Sequence, residues 1–180
     1  MKPPQTLTAI ASFLLPITAC AAVLYTDHGT LGPPSALGGY AITSLPSDPR
    51  PVGSIVTGTG STPSISLDRP ATLLAIGQGW STWSHGFGGQ LYYTPTSELV
   101  LTPPANTLAF GLSIQPNLEG VFDFDVTANG VTARLSIDGD GGARYIGFWS
   151  DNPRDPLTYL RIWDVTGTAE GFAVAELRLF

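Results

Sequence analysis

The stretch Trp80-Ser81-Thr82-Trp83-Ser84-His85-Gly86-Phe87, followed closely by Tyr92-Tyr93, gathers rings and hydroxyls into a glycine-rich, polar segment. Aromatic faces flanked by polar groups suit sugars, whose rings have apolar faces and hydroxyl rims. Trp80, Trp83, His85, Tyr92 and Tyr93 are therefore the candidate ligand-binding set, with carbohydrate as the expected ligand. The plainer alternative packs Trp80, Phe87 and Tyr92 into a core and leaves the glycines to turns. A second constellation is Asp138-Gly139-Asp140-Gly141-Gly142. Calcium takes six to eight oxygen ligands, so Asp138 and Asp140 form a candidate calcium pair only with a distant contributor such as Asp123 or Asp151. The competing reading is a hairpin turn, since Asp and Gly are turn formers. No cofactor other than calcium is suggested.

Catalytic signals are sparse. His28 and His85 are the only histidines, and neither has a metal-binding or triad spacing. Ser84 and His85 are neighbours, and neighbours on a strand point to opposite faces. No catalytic residue is assigned on these grounds. A hydrolase remains an alternative, because the two carboxylates of a glycosidase come from distant strands and leave no local motif.

The first residues describe an address. Met1-Lys2 is a short basic start, Ile10-Ala11-Ser12-Phe13-Leu14-Leu15 an apolar middle, and Thr18-Ala19-Cys20-Ala21-Ala22 a small-residue end. Together these read as a secretory signal peptide over 1–21. The apolar part is shorter than the roughly 20 residues that span a bilayer, and no later segment reaches that length. Ala19 and Ala21 supply a cleavage site, which predicts export to the periplasm or the outside. Alternatively, Ile17-Thr18-Ala19-Cys20 resembles the lipobox of bacterial lipoproteins, and Cys20 would then carry a lipid anchor. Cys20 is the only cysteine, so no internal disulfide or thiolate metal cluster is available to residues 22–180. That length suits one domain with its own core.

The chain has 14 acidic and 8 basic residues, a formal net charge of −6, and Lys2 is its only lysine. An acidic surface without clustered cations argues against nucleic acid and anionic membranes as partners. Only 12% of residues are charged, about half the usual share. Solubility must therefore rest on Ser, Thr, Gly, Asn and Gln.

What has to position these groups is a series of strands. Residues 29–63 are rich in Gly, Pro, Ser and Thr and read as loops joining short strands. Beyond them, β-branched and aromatic runs recur at 64–67, 71–76, 90–94, 99–102, 107–114, 121–128, 131–138, 144–149, 157–163 and 172–179. No helical period competes, and the spacing predicts an all-β antiparallel sandwich of lectin-like or jelly-roll type. One hairpin can be registered in advance. Asn129-Gly130 is the preferred pair of a type I′ turn, which sets Ala128 opposite Val131, Val126 opposite Ala133, Phe124 opposite Leu135 and Asp125 opposite Arg134. The terminal Phe180 also fits an outer-membrane barrel. Against that, the strands are short and punctuated by prolines.

Three segments carry a resemblance: Val23-Leu24-Tyr25-Thr26-Asp27-His28-Gly29, Ala143-Arg144-Tyr145-Ile146-Gly147-Phe148-Trp149-Ser150-Asp151-Asn152-Pro153, and Gly171-Phe172-Ala173-Val174-Ala175-Glu176. They resemble exported bacterial lectin-like or jelly-roll proteins often found with PEP-CTERM sorting tails. The resemblance implies a β-sandwich and no defined activity. The acidic residue of the last segment comes one place late, at Glu176, and no Pro-Glu-Pro motif is present. Trp80-Ser81-Thr82-Trp83-Ser84 is also similar to the WSxWS box of cytokine receptors, without the cysteine-bearing module that carries it there. The function expected is an exported, non-enzymatic binding module for carbohydrate or a cell-surface protein. A structural or assembly protein, using the apolar terminal strand as a pairing edge, is the first alternative.

Overall fold

A computed structural model describes residues 22–58 and 65–180. The expected signal peptide, Cys20 and Ser64 lie outside the described residues. The strands are β1 (Val23–Gly29), β2 (Ala36–Leu37), β3 (Tyr40–Ala41), β4 (Thr43–Ser44), β5 (Ile55–Gly58), β6 (Ser66–Ile76), β7 (Gly79–Trp80) and β8 (Gln90–Thr94). They continue with β9 (Glu98–Thr102), β10 (Ala109–Pro116), β11 (Val121–Ala128), β12 (Val131–Asp138), β13 (Arg144–Ser150), β14 (Leu160–Asp164) and β15 (Phe172–Leu179). There is no helix among the described residues, so none crosses a membrane.

The main sheet runs β1-β13-β10-β15-β8-β6-β9-β14-β11-β12, antiparallel at every step. It folds on itself at β6 into two facing layers, an antiparallel β-sandwich of the jelly-roll class. The sequence suggested two strands, 64–67 and 71–76, where one 11-residue strand runs straight through Pro70. The reason lies in the pairing. Leu67 pairs with Leu101 of β9 while Thr72 pairs with Tyr93 of β8. Pro70 sits where the ladder changes partner, so its missing N–H interrupts neither.

Alternation then fills the space between the layers. Phe110, Leu112 and Ile114 of β10, Ile146 and Phe148 of β13, and Phe172 and Val174 of β15 face Leu99, Phe124, Val126, Leu135 and Ile162 of the other layer. Phe124 meets Phe172 edge to face across the sandwich, with ring centroids 5.4 Å apart. The β11–β12 hairpin has the register its turn dictates: Asp125 lies opposite Arg134, and Arg134 Nε donates to Asp125 Oδ1 at 2.7 Å. Asn129 and Gly130 both adopt positive φ, 44° and 86°.

The two outer faces differ. That of the β9-β14-β11-β12 layer carries polar pairs such as Arg161–Glu98 and Arg134–Asp125, whereas a membrane barrel turns an apolar band outward. The outer face of the β13-β10-β15-β8 layer is roofed by the chain around Leu37 and Ile42 and by the segment from Trp80 to Phe87, over two smaller apolar clusters. That roof brings the candidate residues together. The terminal strand β15 is also not an edge, since it lies between β10 and β8. The strand order ends at β1 and at β12.

Candidate functional site

Trp80 is buried at 9% exposure, and its Nε1 donates to Gln115 Oε1 at 3.0 Å. Gln115, itself buried on β10, donates from Nε2 to Thr82 Oγ1 and to the Gly139 carbonyl, each at 2.9 Å. One amide thus fixes the indole, the loop after it and the β12–β13 turn. Tyr93 stacks obliquely on Trp80 at 5.7 Å and donates its hydroxyl to the Glu170 carbonyl. Above this floor opens a cleft of about 200 Å³, bordered by Trp80, Thr82, Gln115, Asn117, Glu119 and Asp140.

Tyr92 points the other way, into the core, with its hydroxyl on Asp48 Oδ2 at 3.1 Å. Burial, and then the neighbouring Asp48 charge, push the Tyr92 hydroxyl up from its ordinary pKa. Hydrogen bonds from Arg50 hold the Asp48 carboxyl below the usual range, against the opposing effect of burial. A second cleft, of about 240 Å³, lies on this side and is bordered by Asp48, Phe87, Gln90, Tyr92, Glu176 and Arg178. The five sequence-selected residues therefore do not form one platform. Trp80 borders the first cleft with Tyr93 packed against it, Tyr92 borders the second, and Trp83 and His85 lie on the segment dividing them.

That dividing segment is fastened to the sheet through Glu176. In β15 the alternation Phe172, Ala173, Val174, Ala175 should turn Glu176 inward. A bulge opposite Leu112 adds one residue instead, with Glu176 at φ 55°. Ala175 and Glu176 thereby both face outward, while Leu177 returns to the core. Glu176 Oε2 accepts from Trp83 Nε1 at 3.1 Å and from Ser113 Oγ at 2.7 Å. Glu176 Oε1 lies 2.8 Å from His85 Nε2, and His85 Nδ1 lies 2.9 Å from Ser84 Oγ.

Ser84 and His85 do not diverge as strand neighbours would. They stand in a loop rather than a strand, and His85 at φ 43° turns its ring back over Ser84. Positive φ at a non-glycine residue costs roughly 1–3 kcal/mol, and both members of the His85–Glu176 pair bear it. Nearby on the same face, Tyr145 Oη and Arg178 Nε are buried with no hydrogen-bond partner among the described residues.

The candidate calcium pair makes a turn. Asp138 Oδ1 accepts from the Asp140 N–H at 3.0 Å, and both aspartates are exposed. Among the described residues, no three His, Cys, Asp or Glu side chains converge as a metal site. Gln115, Ser113 and Glu176 were not selected from sequence. The one signal for Glu176 was its place in an apolar strand where alternation assigns it to the core. Comparison with protein-family models, with curated proteins and with solved structures finds no match. The fold and its clefts therefore carry the functional argument by themselves.

Proposed function

We propose that this chain is an exported binding module of a bacterial surface or exterior, and that its ligand is carbohydrate held in the cleft above Trp80. The observation that supports this reading is the make-up of that cleft. Along an indole edge held from beneath by Gln115, it offers a hydroxyl (Thr82), an amide (Asn117) and carboxylates (Glu119, Asp140). Neutral polyols need such a mixture, because each sugar hydroxyl both donates and accepts.

A glycan array probed with the protein, with and without a chelator, tests the proposal. Binding that Asn117→Ala and Glu119→Gln both weaken supports the site, and chelator sensitivity would bring Asp138 and Asp140 in as calcium ligands. Binding unaffected by these substitutions, or none to any glycan, sinks it. The assembly reading rests on a different strand from the one the sequence suggested. β1, at one end of the strand order, exposes Leu24 at 43% and Tyr25 at 47%, and sedimentation that shifts with concentration would favour it.

A further inference from the structure

The hydrogen-bonded chain Ser84–His85–Glu176 has the proton arrangement of an activated hydroxyl. A carboxylate only accepts, so Glu176 Oε1 fixes the neutral imidazole with its hydrogen on Nε2. Nδ1 is then left as an acceptor, and the group within reach of it is Ser84 Oγ at 2.9 Å. The carboxylate is itself immobilised by Trp83 and Ser113 on its other oxygen. In the familiar serine-hydrolase order the two ring nitrogens are exchanged, but the roles are the same: acid orients base, and base faces hydroxyl.

The relay is also built against local preference. It requires a bulge that turns Glu176 outward and a left-handed backbone at both His85 and Glu176, and backbone strain of this kind gathers at functional sites. Ser84 keeps 6% of its surface and His85 a quarter of its side chain, in the outermost layer of the fold. Ser84 is thus largely screened from bulk water, beside an imidazole that is partly open to it.

We propose that Ser84 is a nucleophile toward small carboxylic esters, with His85 as general base and Glu176 as the positioning residue. In the first step Ser84 Oγ bonds to the acyl carbon, its proton passes to His85 Nδ1, and the alcohol leaves with that proton. Water then attacks the acyl-serine, giving its proton to Nδ1, and Ser84 Oγ departs and recovers it. The sum is ester plus water to acid plus alcohol. The proposal is independent of the glycan reading, since it uses neither cleft as evidence.

A fluorophosphonate reports on the hydroxyl directly. Oγ bonds to phosphorus, the P–F bond breaks, and fluoride leaves while the Oγ proton passes through Nδ1 to solvent. The intact protein should take up one phosphonyl group, mapped by peptide mass to Ser84, and should release p-nitrophenol from p-nitrophenyl acetate. Ser84→Ala should abolish both signals. Glu176→Gln and His85→Gln should slow labelling by about 100-fold, the scale of general-base assistance. If Glu176→Gln gives no cooperative melt, His85→Gln decides. A folded wild-type protein that leaves Ser84 unlabelled overturns the proposal, and so does a folded His85→Gln protein labelled at the wild-type rate.

Discussion

At the scale of single residues, the most consequential side chain is one that pattern reading passes over. Gln115 stands at an outward position of β10 but is 2% exposed, and its amide holds Trp80, Thr82 and Gly139 at once. Gln115→Leu keeps the volume and removes all three bonds. Stranding a buried donor or acceptor costs about 1–3 kcal/mol each, and Trp80 Nε1 and the Gly139 carbonyl are the groups left. We therefore expect a loss of about 2–4 kcal/mol in urea unfolding, together with a red-shifted tryptophan emission. A loss below 0.5 kcal/mol, taken as roughly the surface-substitution scale, would mean that Gln115 anchors nothing. The sequence made Trp80 conspicuous because tryptophan is rare and its neighbours are polar. What it withheld was the partner 35 residues away, since a long-range hydrogen bond leaves no period in a single chain.

Among elements, legibility followed locality. The β11–β12 hairpin could be registered residue by residue because turn chemistry, alternation and the Asp125–Arg134 pair all act within 18 residues. The part of 29–63 that roofs the sheet around Leu37 could not be placed, because what makes room for it is a missing side chain on another strand. Gly147 of β13 leaves the room that Leu37 fills, and a Cβ added there would come within 2.4 Å of Leu37 Cδ2. Gly147→Ala should therefore unseat the roof and cost about 1–3 kcal/mol, the usual range for overpacking. Amide exchange should accelerate first around Leu37 and Ile42 and leave β11 and β12 protected. Exchange that rises uniformly would show the roof and the sandwich to be one cooperative unit. The bulge at Glu176 was hidden for a similar reason. Only the facing strand β10 reveals that β15 carries one residue too many.

For the whole molecule, the question is how a sheet that turns at β6 is held shut at its far side, where β1 and β12 meet without a ladder between them. Arg144 performs much of that closure. Its Nε donates to Asp27 on β1 at 2.9 Å, and its Nη1 reaches the Ser136 carbonyl on β12 at 3.2 Å. The clamp is pH-sensitive in a defined direction. Burial pushes the Asp27 carboxyl up, but the Arg144 hydrogen bonds, the Gly29 N–H and the nearby positive charge outweigh it, and the net shift is downward. Asp48, held chiefly by Arg50, and Asp125, held chiefly by Arg134, are lowered as well. A carboxyl with a lower pKa in the folded state contributes stability that is fully present above its unfolded value of about 3.9 and is lost as pH falls through the folded one. These three groups therefore predict a urea midpoint that is flat from pH 7 to about 5 and declines below about pH 4. Arg144→Met provides the control, because it returns Asp27 toward its ordinary range. The variant should start less stable at pH 7 and lose less between about pH 4 and pH 2 than the wild-type protein does. Parallel pH profiles for the two proteins would mean that the Asp27–Arg144 closure contributes nothing to the acid response, and that the sandwich is held shut at this seam by packing alone.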